Sequence, residues 1–231
     1  MVFTALNNKE VRRRQYVEAL EYYLSNTKYK ILFVENSNTD ISIDFTKEIN
    51  LGRLEYLTFQ GNKDKSRGKG YGECEIMEYA YKHSNLIAHN KNIIIVKITG
   101  RLVIKNIKFI VSLHGFCFPR KTVFYAINSN LSFPDSRCIM ASKDFFIKFL
   151  KLKYKINDSA GYYFEHALLD TMIKEKEYSY SPFFFQPDIV GISGSTGEKY
   201  ISNKYSISYI YKYLQYAISL RSKFKKKYRT G

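Results

Sequence analysis

The run Asn92-Ile93-Ile94-Ile95-Val96 is the part of this chain hardest to place anywhere but inside a sheet. A nearly unbroken β-branched run suits a strand covered on both faces, as in helix-covered parallel sheets, better than a meander strand with one wet face. The segment then changes character. Lys97, Thr99 and Arg101 alternate with Ile98 and Gly100, and a period of two puts both cations and the hydroxyl on one face at the strand's C-terminal end. Open α/β sheets bind ligands at that end, and two cations there call for an anion.

The residues before this strand repeat one pattern. Val2 to Leu6 reads as a short strand and Arg12 to Ser25 as a helix, with Tyr16, Val17, Leu20, Tyr23 and Leu24 on one face. Tyr29 to Val34 is a second strand, running into the polar cluster Glu35 to Asp40, which has the composition of a turn. A short helix over Asp44 to Ile49 and a strand over Leu54 to Phe59 follow. Gln60 to Gly72 is rich in Gly, Lys, Arg and Asp and reads as the loosest part of the chain. It opens a helix ending near His83, and glycines with cations at a helix N-terminus can cradle a phosphate. The loop is neither a Walker A sequence nor the Rossmann fingerprint. Strand-helix alternation over the first hundred residues predicts a mostly parallel sheet covered by helices, with its post-strand loops on one edge.

The second half is less regular. Lys108 to Phe118 and Thr122 to Ile127 read as strands, and Leu131 to Ile139 is an apolar stretch interrupted by Asp135-Ser136-Arg137. Ser142 is an expected N-cap for a helix reaching Leu152, with Phe145, Phe146, Phe149 and Leu150 inward. A further helix begins at Asp158-Ser159. Its stripe is Phe164, Ala167, Leu168, Thr171 and Met172, with Glu165 and His166 at the margins. Ser181 to Asp188 reads as an extended crossing segment, and Gly191 to Gly197 is a small-residue loop able to hold a phosphate through its N–H groups. From Ser202 a helical pattern runs to about Tyr228 with Ile207, Ile210, Tyr211, Leu214 and Ile218 on one stripe. Beyond Glu198 there is no acid, while cations crowd the end, a composition suited to an anionic membrane surface.

A net charge of +16 implies an anionic partner: nucleic acid, an anionic membrane or a phosphorylated substrate. Cys74, Cys117 and Cys138 have no metal-like spacing and are expected as reduced thiols. The four histidines are scattered without zinc-site spacing. No apolar run approaches the roughly 18 residues of a membrane span, so a cytoplasmic protein, peripheral on the inner face of the membrane, is expected.

Read together, these segments resemble a GT-A glycosyltransferase of the small type encoded in bacterial O-antigen and capsule clusters. Val34-Glu35-Asn36-Ser37-Asn38-Thr39-Asp40 is similar to the Val-Asp-Asn-x-Ser-x-Asp segment with which such enzymes hold the nucleotide, and Arg67 to His83 to their second donor-binding segment. Lys97-Ile98-Thr99-Gly100-Arg101 falls where the family carries its metal-binding Asp-x-Asp. Phe164-Glu165-His166 resembles the helix start that supplies the catalytic base in inverting members.

The resemblance implies a GT-A-like catalytic domain over residues 1–200, with a donor half (1–106) and an acceptor half (107–200), and a basic helix over 201–231. It implies transfer of a sugar from a nucleotide-sugar donor, a UDP-sugar above all, to a hydroxyl of a lipid-linked or polysaccharide acceptor. The donor residues it implies are Thr4, Glu35, Asn36, Lys69, Lys97, Thr99, Arg101, Ser193 and Ser195, and the acceptor residues are Asp135 and Arg137. Glu165 is the expected general base, with His166 or Asp158 in reserve. No metal ligand is assigned, because cations stand where the Asp-x-Asp should be, which leaves the usual divalent ion an open question. The expectation is that Lys97 and Arg101, with Lys69, stabilise the departing diphosphate in its place. Asp135 is the alternative ligand. A nucleotidyltransferase of sugar activation and a non-enzymatic nucleic-acid binder are the competing readings; no known nucleic-acid motif is present.

Overall fold

The computed structural model describes residues 8–90, 92–117, 119, 121–127, 133–193 and 197–200. The expected strand Val2 to Leu6, Thr4, Ser195 and the expected basic helix of 201–231 lie outside the described residues.

The first helix, α1 (Lys9–Asn26), starts where the Asn8 side chain accepts the Glu10 and Val11 N–H groups at 3.0 and 3.1 Å. It packs Leu20 with Tyr16, Val17 and Leu24 against β1 (Ile31–Glu35) and β2 (Leu54–Thr58). The short helix α2 (Thr46–Asn50) lies between these strands in sequence, so they pair in parallel, Ile31 opposite Leu54 through Glu35 opposite Thr58. This part follows the expected alternation.

The rest departs from it. β3 (Ile94–Ile98) follows α3 (Gly68–His83) and the single turn α4 (Asn85–Ala88), but pairs antiparallel with β6 (Pro134–Ser142). β5 (Thr122–Ile127) also pairs antiparallel with β6, and parallel with β7 (Ser179–Pro182), giving the order β3-β6-β5-β7. A third sheet is antiparallel throughout: β4 (Val103–Ile104), β8 (Ile189–Ile192) and β9 (Lys199–Tyr200). The expected mostly parallel sheet is therefore corrected to a mixed α/β arrangement among the described residues. The reason is connection length: residues 128–133 are too few for the crossover a parallel β5/β6 pair would need.

A second correction concerns the expected strand Lys108 to Phe118: its described part, through Cys117, belongs to helix α5 (Ile107–Cys117) and is not a strand. Its β-branched content suggested a strand, but Ile107, Ile110 and His114 recur at helical spacing and are all buried. They cover one face of the β5/β6 pair, where Phe124, Ala126, Cys138 and Met140 point. The alternate residues Val123, Tyr125, Ile139 and Ala141 point the other way, into a cluster with α3, α6 (Lys143–Leu150) and α7 (Phe164–Lys174). Strands buried on both faces, with no polar period, are the physical content of this three-layer half. Ser142 caps α6 as expected, its hydroxyl accepting the Phe145 N–H at 3.4 Å. The stripe from Phe164 to Met172 is buried throughout, although α7 begins at Phe164 and Asp158 forms part of a separate single turn. Cys74 and Cys138 are buried free thiols, and burial pushes both pKa values up, which makes them packing residues rather than nucleophiles. Among the described residues no helix is long and apolar enough to cross a membrane.

Candidate functional site

One cavity is lined by Glu35, Asn36, Lys69, Lys97, Thr99, Arg101, Asp135, Arg137, Glu165 and Ser193, all expected site residues from the sequence, and also by the reserve base Asp158. The expected site residues come from β1, α3, the end of β3 and the turn after it, the start of β6, the first turn of α7 and the end of β8. His166 is not on this wall. Its Nδ1 accepts the Tyr163 N–H at 3.1 Å, closing the first turn of α7, and its ring stacks among Phe133, Tyr162 and Tyr163. The contacts the structure gives it are those of a helix cap.

The carboxylates in the cavity are each engaged by the protein. Glu35 accepts the N–H groups of Ser37 at 2.8 Å and Thr39 at 3.1 Å and the Thr58 hydroxyl at 3.3 Å, and so shapes the loop in which Asn38 takes a φ of 59°. Asp135 grips Arg137: Arg137 Nε lies 2.9 and 2.8 Å from its two oxygens, Nη2 makes an ion pair with Oδ2, and the Arg137 N–H also donates to Oδ1. That clamp presents the Arg137 guanidinium to the Tyr200 ring, 4.7 Å from its centroid. Asp158, a reserve base in the sequence reading, accepts the Gly70 N–H at 3.0 Å, at the N-terminus of α3.

The Gly-rich loop is consequently anchored rather than loose. Arg67 donates from Nε and Nη2 to the Ile156 carbonyl at 3.1 and 2.9 Å and also to the Tyr154 carbonyl, while the Ser159 hydroxyl donates to Ser66 O at 2.7 Å. The glycines are required by closeness: a Cβ on Gly68, whose φ is +85°, would sit 2.4 Å from Asp158 Oδ2, and one on Gly70 would sit 2.9 Å from Oδ1. The expected phosphate cradle at this helix end is filled by the protein's own carboxylate.

Lys97 and Arg101 part company. Lys97 Nζ is 2.5 Å from Glu73 Oε1 and donates to the Ser136 carbonyl at 2.5 Å, with its side chain only 10% exposed. Thr99 completes that knot, its hydroxyl donating to Glu73 at 3.4 Å. The Lys97 charge is thereby neutralised inside the wall, which removes it from the expected role of meeting a departing diphosphate. Arg101 instead belongs with Lys69 and Arg12: among the described residues its side chain forms no hydrogen bond or ion pair, and its Nη1 is buried. The Lys69 pKa is lowered, first by burial and then by the Arg101 charge, with Arg12 adding to the effect and Asp158 opposing it.

Glu165, in the first turn of α7, lines the same cavity. The Ser136 hydroxyl donates to Glu165 Oε1 at 2.5 Å, and the Ser136 carbonyl is the one held by Lys97, so Glu73, Lys97, Ser136 and Glu165 form one chain of contacts. Burial raises the Glu165 pKa above its ordinary value and the nearby Glu73 charge adds to this, against the Ser136 hydrogen bond and Lys97. A carboxyl with its proton affinity raised by burial is the condition a general base near neutral pH requires.

A divalent ion does not fit this donor set. Glu73 and Asp135, the carboxylates nearest the end of β3, are committed to Lys97 and Arg137, and among the described residues no three His, Cys, Asp or Glu side chains converge. Glu73, Ser136, Arg12 and Asp158's anchoring role were missed from the sequence. Only Glu73 carried a signal, as the first acid after the glycine run. No protein-family model matches the chain, and no curated protein and no solved structure is significantly similar to it, so the functional reading rests on the residues themselves.

Proposed function

We propose that this chain is a glycosyltransferase of the GT-A type, moving a sugar from a nucleotide-sugar donor to a hydroxyl acceptor. The observation that supports it is one cavity shared by the polar loop after β1, the cations Lys69 and Arg101 and the half-buried carboxyl of Glu165. In this reading the nucleotide lies along Glu35 and Asn36. Glu165 takes the proton of the acceptor hydroxyl as that oxygen attacks the anomeric carbon. The bond from that carbon to the diphosphate oxygen breaks, and the nucleoside diphosphate leaves with its new negative charge facing Lys69 and Arg101. Asp135 and Arg137 border the acceptor side. A lipid-linked acceptor at an anionic membrane accounts for the acid-free, basic sequence beyond Glu198.

A thermal-shift panel of UDP-sugars tests this reading, with single-stranded RNA as the competing ligand at two salt concentrations. Protection by a UDP-sugar, with release of UDP when acceptor glycolipid is added, is the expected result. Protection by RNA alone, falling steeply with salt, would replace the enzyme by a nucleic-acid binder.

A further inference from the structure

We infer that Arg12, Lys69 and Arg101 form a binding site for a diphosphate that works without a metal ion. The identification of that diphosphate with the leaving group of a nucleotide-sugar rests on the reading above; the anion site itself does not. The cations around the cavity divide into two sets. Lys97 is bonded to Glu73 and Arg137 to Asp135, whereas among the described residues the side chains of Arg12 and Arg101 meet no carboxylate within ion-pair distance. Lys69 lies close enough to both guanidiniums for its protonation to be disfavoured by them. Asp158, whose charge acts on Lys69, is turned to the Gly70 N–H through Oδ2. Like charges gathered on a concave wall, with a buried guanidinium nitrogen lacking an acceptor, raise the energy of the empty site. A doubly charged anion relieves that repulsion, and two guanidinium forks with an ammonium between them can meet adjacent phosphates. Arg12 comes from α1, Lys69 from the start of α3 and Arg101 from the turn after β3, so three separate elements each bring a cation to the lining of this cavity.

The test is titration calorimetry of the full chain with sodium pyrophosphate in buffer containing EDTA. Wild type is expected to bind, and Arg101→Ala and Arg12→Ala are each expected to weaken binding by about tenfold or more, the loss of a charge-assisted contact. Lys151→Ala, which removes an exposed charge elsewhere, is expected to leave the affinity unchanged. Equal weakening by Lys151→Ala, or unchanged binding in both arginine variants, overturns the site, as does binding that appears only when Mn²⁺ replaces EDTA. Arg12 lies on a half-buried helix face, so its variant remains informative if Arg101→Ala does not fold. If pyrophosphate binds as described but no UDP-sugar protects or turns over, the glycosyl-transfer reading falls and the anion site stands. If UDP-sugar turns over while both arginine variants bind pyrophosphate like wild type, the site falls and the reading stands.

Discussion

The two cationic corners of the cavity differ in one respect that matters. Around Lys97 each charge is answered: Glu73 takes the ammonium, Ser136 supplies a second acceptor and Thr99 braces the carboxylate. Around Arg101 the charges of Lys69 and Arg12 are added to its own, and among the described residues a guanidinium nitrogen of Arg101 is buried without an acceptor. Both corners arise at the end of the same strand, only a few residues apart. A matched charge in a half-buried place holds the protein together; an unmatched one costs stability and is kept where a ligand of opposite sign can offset it.

The largest effect expected from this contrast is on chemistry. Glu165→Gln keeps the hydrogen bond from Ser136 but cannot take a proton, so turnover should fall by about 10²- to 10⁴-fold while pyrophosphate affinity stays that of wild type. Undiminished turnover would remove Glu165 from the mechanism. Next comes the matched corner. Lys97→Met strands Glu73 and should cost about 1–3 kcal/mol in denaturant unfolding, with much of the loss recovered in the double variant with Glu73→Gln. Arg101→Ala has no partner to strand, so its unfolding free energy should change by less than about 1 kcal/mol, toward greater stability. If the two single variants are equally destabilised, the distinction between the corners disappears.

Smaller effects appear as pH dependence. The folded-state pKa of Glu165 is raised above its ordinary value, so its contribution to stability is full below about 4.5 and is lost as pH rises through the folded pKa. The melting temperature of Glu165→Gln should therefore gain on wild type between pH 4 and 8; a constant difference would show that the carboxyl is not perturbed. The smallest effect lies away from the cavity. Buried His114 is held by the Ile110 carbonyl at 2.7 Å and accepts the Phe184 N–H at 3.2 Å, and burial lowers its pKa. Its contribution is complete above about 6.5 and declines as pH falls through that value toward the folded pKa. Wild type should lose stability between pH 7.5 and 5.5 more steeply than His114→Gln.

Local patterns in the sequence carried the first sheet and the buried stripe of α7, because there each residue choice agrees with the helix or strand it occupies. They misled at α5, where Ile107, Ile110 and Val111 have strand-like propensity but are recruited by the face of β5 and β6. Period-two reasoning correctly grouped Lys97 with Thr99, yet could not reveal that Glu73, on a helix some two dozen residues earlier, closes on both. Pairings of that kind depend on how elements dock. The same holds for Arg12, one of three consecutive arginines, of which Arg13 meets Asp44 while Arg12 turns to the cavity.

The Asp158 carboxylate against Gly68 and Gly70 has a mechanical consequence. It couples the helix that begins beside Lys69 to the turn that leads into Glu165, and Arg67 and Ser159 add further rivets across the same seam. Glu165 and the Lys69 corner are thus held at a set span by the fold itself. A side chain as small as alanine at Gly68 would wedge that seam apart and shift Glu165 relative to Lys69 without touching either.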